Sequence, residues 1–203
     1  LLPAAQVDRL TRLGWQEGAT RYMVLVALVK LLLHRYSGQN DLITGMAIAG
    51  RNQPELENQI GFFVNTLALR FDLSGNPTFG ELLRRVRKVT LDGYAHQDVP
   101  FEQVVEILQP QRQLSHTPIF QVVFNLMSLP PLNFKLPGLA VSPLTSESKS
   151  AKFDLALNIG QGESGVSGAW EYNSEIFTRS TIERMASHWR QLLLAATANP
   201  AAV

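Results

Sequence analysis

The sequence predicts an α/β fold, with strands and helices mixed along one unit. Three observations carry this. An apolar run is long enough for a buried helix but too short for a bilayer, several apolar or alternating runs have strand length, and helical stripes with three-and-four spacing lie between them. The 203 residues suit one large domain or two small ones, with length enough for a substantial core. No internal repeat, low-complexity tract or convincing domain boundary interrupts them, so the chain reads as one unit of mixed strands and helices.

Gly18-Ala19-Thr20 precedes a helix from Arg21 to Tyr36, closed by Ser37-Gly38-Gln39-Asn40. Apolar residues cover all its faces, which places it centrally. Its core, Tyr22 to Leu33 interrupted by Lys30, falls short of the roughly 20 residues that span a bilayer. Leu42 to Ala49, bounded by Asp41 and Gly50, is predicted as a buried strand. Ile60 to Phe71 is predicted as a strand whose second half alternates Leu67, Leu69 and Phe71 against Thr66, Ala68 and Arg70, one face lying deeper. Pro77 opens a helix with Phe79, Leu82, Leu83, Val86 and Val89 on one stripe and an ion pair from Glu81 to Arg85 on the other. Asp98-Val99-Pro100 signals another start, Asp98 supplying the cap and Pro100 fitting the first turn of a helix Phe101 to Leu108 that stops before Pro110.

Ile119 to Met127 is the third strand candidate, followed by an exposed loop through Pro130-Pro131 and Pro137-Gly138. Phe153 to Ile159 and Val166 to Tyr172 read as a hairpin joined through Gly160 to Gly165. A last amphipathic helix starts at Thr178, with Ile182, Met185, Trp189, Leu192 and Leu193 on one side, and gives way to a linker-like Asn199-Pro200. Entry at Leu1 reads as mid-helix, so the chain is expected to be a piece of something longer.

Eighteen basic against seventeen acidic side chains leave +1, so no field-driven attraction to nucleic acid or anionic membrane is implied. The absence of cysteine excludes a disulfide framework, a thiolate zinc site and a cysteine nucleophile, and leaves the compartment open. Gly160, Gly162 and Gly165 match G-x-G-x-x-G, but a strand rather than a helix follows, which makes them hairpin residues. Gly165-Val166-Ser167-Gly168 lacks the second glycine of a nucleophile elbow at the required spacing. His34, His96, His116 and His188 stand singly, without metal-ligand spacing, and no metal is expected. His34 and His188 fall on presumed helices, where packing is the default; His96 and His116 fall in loops that feed regular elements.

Asn65 and Thr66 are polar residues inside an apolar strand. Burial requires them to find partners, and their plain role is to fix a neighbouring loop. Asp98 and Phe101 have plain roles too, as cap and core. The stripe Arg84, Arg85, Arg87 and Lys88 is either a solvated face or a docking surface for an acidic partner or a phosphate.

Three segments in order add a resemblance: IGFFVNTLALR at 60 to 70, HQDVPFEQVVE at 96 to 106 and LSHTPIFQVVF at 114 to 124. With LLHRYSGQNDLITGMAIAGR (32 to 51), AKFDLALNI (151 to 159) and WEYNSEIFTRSTIERM (170 to 185), they closely resemble the C-terminal lobe of condensation domains from nonribosomal peptide synthetases, over nearly the whole chain. The resemblance implies one of two chloramphenicol-acetyltransferase-like lobes in a V, each a mixed β-sheet packed with helices as a two-layer sandwich. Between them a tunnel receives phosphopantetheine arms from donor and acceptor carrier proteins. Such domains join a donor acyl or peptidyl thioester to the amine of an acceptor aminoacyl thioester. The implied partners are the N-terminal lobe, both carriers and an adjacent adenylation domain, in a cytoplasmic setting, with no cofactor bound directly, no nucleic acid and no membrane span.

The family's double-histidine motif, His-His-x-x-x-Asp-Gly, belongs to the N-terminal lobe and is absent from this chain, so no catalytic residue is assigned and the chain alone is expected to be inactive. Residues 1–203 are thus expected to be the C-terminal lobe. By position, Asn65, Thr66, His96, Gln97 and Asp98 match tunnel-side motif residues. Gly61, Arg70, Pro100, Phe101, Glu102, Ser115, Pro118, Phe120 and Gln121 match motif positions of mainly structural role. The form GFFVNTLALR followed by HQDVPFE resembles the subtype that takes an L-configured donor. A noncatalytic carrier-docking or scaffold domain with the same fold is the alternative.

Overall fold

In the computed structural model, residues 2–110, 117–128, 138–139, 150–162 and 165–201 are described. Val7, Leu10, Leu13 and Gly14 line the buried side of Ala4–Gln16 (α1), an amphipathic helix absent from the sequence expectation. The entry is not mid-helix: Leu2 pairs with Val166, its N–H donating to the Val166 carbonyl at 2.7 Å, and Pro3 is the N-cap of α1.

The next helix, Arg21–Ser37 (α2), is capped by Thr20, whose Oγ1 accepts from the Met23 N–H at 3.3 Å, and ends at Gly38. Every residue from Tyr22 to Lys30 is buried, as its all-round apolar pattern predicts. Helices Phe79–Ala95 (α3) and Arg179–Ala198 (α5) flank it with one apolar stripe each. Thr78, not Pro77, starts α3: a reciprocal cap runs between Thr78 and Glu81, the Glu81 carboxylate accepting from the Thr78 N–H at 2.8 Å. That bond holds the Glu81 carboxyl below its usual range, and it replaces the expected Glu81–Arg85 pair. Arg85 instead donates to the carbonyls of Asp72 and Ser74.

Asp41–Ile48 (β1), Asn65–Asp72 (β2), Val122–Ser128 (β3), Leu155–Gly162 (β4) and Gly165–Tyr172 (β5) form one sheet in the order β2-β1-β3-β4-β5. The outer pairs are antiparallel and the inner two parallel, so the sheet is mixed. The expected hairpin is present, with Gly162 opposite Gly165. The loop expected at Pro130-Pro131 and Pro137 lies outside the described residues.

Leu67, Leu69, Phe71, Phe124, Leu155, Leu157 and Ile159 face the helices and join α1, α2, α3 and α5 in the main core. Within that layer Lys30, 1% exposed, donates from Nζ to Thr44 Oγ1 at 2.7 Å and lies 4.3 Å over the Phe71 ring. Burial pushes its pKa well below the ordinary lysine value.

The expected strand from Ile60 starts only at Asn65. Its partner β1 ends at Ile48 opposite Asn65, and Gly50, at φ +64°, turns the chain so that the Phe63 carbonyl occupies the space a Cβ would need. Residues 60–64 therefore have no strand to pair with, and Ile60 (104% exposed) and Phe62 (92%) face solvent. At the other end, Asn199-Pro200 is not a free linker: the Pro200 carbonyl accepts from the Gly80 N–H at the first turn of α3, at 3.0 Å.

Candidate functional site

Strand residues alternate between faces, so the side opposite the helices carries a second set of side chains. Cross-strand pairing sorts these into rows. One row is apolar save at its end: Ala68, Gly45, Val123, Ala156 and Glu171. The ring of Phe120 lies on Gly45, in the space a Cβ would fill, and it packs against Phe101 at 5.4 Å and Phe153 at 5.9 Å. This small second cluster closes one end of the face.

The neighbouring row is more polar and more open: Thr66 opposite Ala47, then Asn125 opposite Asn158, then Ala169. The Ala47 N–H donates to Asn125 Oδ1 at 3.2 Å, and Asn125 Nδ2 donates to Asn158 Oδ1 at 2.9 Å. Ala47 and Ala169 are small and exposed. Of these five residues only Thr66 is singled out by its sequence. The two asparagines sit in ordinary apolar strand runs, and only the strand register brings them together.

Asn65 holds the border of this face. Its Nδ2 donates to the carbonyls of Gln97 and Val99 at 2.9 and 2.8 Å, and its Oδ1 accepts from the N–H of Phe101 at 3.1 Å and of Thr66 at 2.8 Å. The amide thus fixes the loop at 97–99 and the first turn of Phe101–Leu108 (α4), the loop-fixing role its residue type suggests. Asp98 does not cap α4. Pro100 is the N-cap, without a side-chain bond, and the Asp98 carboxylate accepts instead from Asn52 Nδ2 at 2.8 Å. The reason is geometric: Asn65 already occupies the Phe101 N–H, leaving Asp98 directed at the loop after β1.

The other motif residues scatter. His96 Nδ1 meets the Asp92 carbonyl at 2.8 Å, and Glu102 is exposed in the first turn of α4. Gly61 lies in the exposed segment, and Arg70 makes a two-pronged bond to Asp41, which lowers the Asp41 pKa. The Pro118 carbonyl accepts from the Phe120 N–H at 2.9 Å, and Gln121 Nε2 donates to the Thr117 carbonyl at 3.2 Å. Ser115 and His116 lie outside the described residues.

Much of the basic stripe is committed to the fold. Arg84 stands 3.8 Å from Glu17 and Arg87 Nε donates to the Gly18 carbonyl at 2.8 Å, while Lys88 is exposed. On the helix side a cavity of about 300 Å³ between α2, α3 and α5 is lined by Leu31, His34, Arg35 and Leu82 among others; none of the motif residues reaches it. Among the described residues no helix is long and apolar enough to cross a membrane, and no cluster of metal-ligating side chains occurs.

The family described as "Condensation domain" matches residues 1–203. A linear gramicidin synthase protein of Brevibacillus parabrevis is 44% identical over 200 residues, which are 98% of this chain but 3% of the synthase protein. Among solved structures, the X-domain in its complex with OxyB from teicoplanin biosynthesis superposes with a TM-score of 0.88 at 28% identity, over 99% of this chain and 45% of that one. The first condensation domain of the CDA synthetase shares the fold, with a TM-score of 0.79 at 23% identity, over 100% of this chain and 45% of that one. With a profile match along its full length and a relative at this identity, the chain belongs to the condensation-domain family.

Proposed function

We propose that this chain is the C-terminal lobe of a condensation domain in a nonribosomal peptide synthetase, and that its open sheet face is one wall of the channel in which the peptide bond forms. The carrying observation is the asymmetry of the sheet. One face is packed by four helices, while the other bears a polar row beside an aromatic cluster and has no second layer over it among the described residues. The chain spans 45% of the condensation-domain chain whose fold it shares, which leaves room for a second lobe of similar size.

In this reading the remaining lobe supplies the double-histidine motif and the opposite wall. Donor and acceptor carrier proteins deliver thioesters on phosphopantetheine arms from the two ends, and an adenylation domain adjoins. Aminolysis needs the amine held near the thioester carbonyl, with donors placed for the oxyanion. Asn65 contributes by holding the loop bearing Gln97 and Asp98 at the channel edge. The motif forms at 60–70 and 96–102 support an L-configured donor, the exposed Lys88 and its neighbours support a carrier-docking border, and the setting is cytoplasmic.

The test is product formation from carrier-bound donor and acceptor thioesters, followed by mass spectrometry, with the 203-residue chain and with the full-length protein. The full-length protein should form the amide, faster with the L-configured donor than with the D-configured one, and the chain alone should not exceed the uncatalysed background. Product from the chain alone, or none from the full-length protein, would overturn the reading. The second outcome favours a noncatalytic docking domain, a reading supported by the similar X-domain found in complex with OxyB.

A further inference from the structure

We propose that Asn158 binds a ligand carbonyl. Its Nδ2 donates to a carbonyl oxygen of an acyl-pantetheine lying along the polar row, in an orientation that Asn125 imposes. This rests on the channel-wall reading above.

The orientation follows from a donor that cannot change roles. A backbone N–H only donates, so the Asn125 atom facing the Ala47 N–H is the carbonyl oxygen Oδ1. The planar amide then turns Nδ2 toward Asn158. That nitrogen also only donates, so the Asn158 atom 2.9 Å away is Oδ1. Asn158 Nδ2 is left over, with no protein partner among the described residues, beside the small exposed Ala169. A half-buried amide N–H is satisfied by water until a ligand displaces it, and it then needs an acceptor on the ligand.

That acceptor is neutral. The row holds no cation, and Glu171 stands opposite Ala156 in the adjacent row, which disfavours a carboxylate or phosphate. Thioester and amide carbonyls fit, and both occur in an acyl-pantetheine. Asn158 is therefore a binding residue and Asn125 a positioning residue.

The probe is an aminoacyl-pantetheine with its thioester replaced by an amide, titrated against the full-length protein, with amide-bond formation followed in parallel. Asn158→Ala should weaken the probe about three- to ten-fold, the range for one hydrogen bond between neutral groups. Asn158→Asp keeps the size and the acceptor for Asn125 but loses the outward donor, so it should weaken the probe at least as much; it decides the matter if the alanine variant unfolds. Asn125→Asp keeps the bond from the Ala47 N–H yet turns Asn158 over, and should match Asn158→Ala. If Asn125 acts only through Asn158, the double variant Asn125→Asp/Asn158→Ala should be no weaker than Asn158→Ala. Ala169→Trp fills the row and should abolish probe binding. Parental affinity in Asn158→Asp together with lost binding in Ala169→Trp would overturn the inference and spare the channel. Parental affinity in Ala169→Trp would overturn the channel reading itself, and a multiplicative loss in the double variant would overturn the positioning by Asn125.

Discussion

Asn65 uses both ends of its amide at once, and truncating it removes bonds to Gln97, Val99 and Phe101 together. Asn65→Ala should therefore cost about 2–4 kcal/mol in denaturant unfolding, taking about 1 kcal/mol for each bond and adding the orphaned groups. Asp98→Ala should stay within about 0.5 kcal/mol, as an exposed position whose carboxylate is bonded, among the described residues, by Asn52 alone. The reverse ranking would show that Asp98 holds the α4 turn after all. Sequence spacing points to Asp98, because aspartate before proline is a common helix start. It does not identify Asn65, because the true cap comes from a strand 36 residues away. Local rules find caps within a few residues, and here a long-range partner prevails.

At the scale of elements, Lys30 and Thr44 tie α2 to β1 through a bond sealed between the helices and the sheet. Burial lowers the Lys30 pKa, so between that folded value and the ordinary value near 10.5 the unfolded chain binds more protons than the folded one. This contribution makes stability rise with pH across that window. Lys30→Met alone would leave Thr44 without its partner, so the informative variant is Lys30→Met/Thr44→Val. It should be about 1–3 kcal/mol more stable at pH 7 than the parent, and the advantage should shrink as pH rises toward about 10.5. Equal pH slopes in the two proteins would refute the assignment. Five strands and three helices were legible from periodicity because each has one face or all faces in the core, whereas α4, which buries no residue, was legible from the Pro100 and Pro110 that bound it. The amphipathic α1 has its stripe at Val7, Leu10 and Leu13, but an isolated terminal segment with no acidic first turn and no side-chain cap offers few start signals. The opposite error, extending β2 back to Ile60, shows that apolar residues alone do not make a strand without a neighbour to pair with.

On the scale of the whole molecule, a sheet with one face uncovered among the described residues and two large apolar side chains at 60 and 62 in solvent should associate with itself when the chain is alone. Sedimentation across a concentration series should show a rising average mass, reduced by Ile60→Glu/Phe62→Glu; a monomer at all concentrations would count against an uncovered interface. The polar row on that face was not legible in the sequence, since its members come together only through strand register. Its neighbouring positions lie about 4.8 Å apart in space, yet they come from residues 47, 66, 125, 158 and 169. Ala47, Asn125 and Asn158 are each a single letter set between residues that serve the core. Point substitution can therefore rewrite this face while the fold stays intact. Exchange of one loop between relatives cannot, because a transplanted face must carry the whole stretch from the first of these letters to the last.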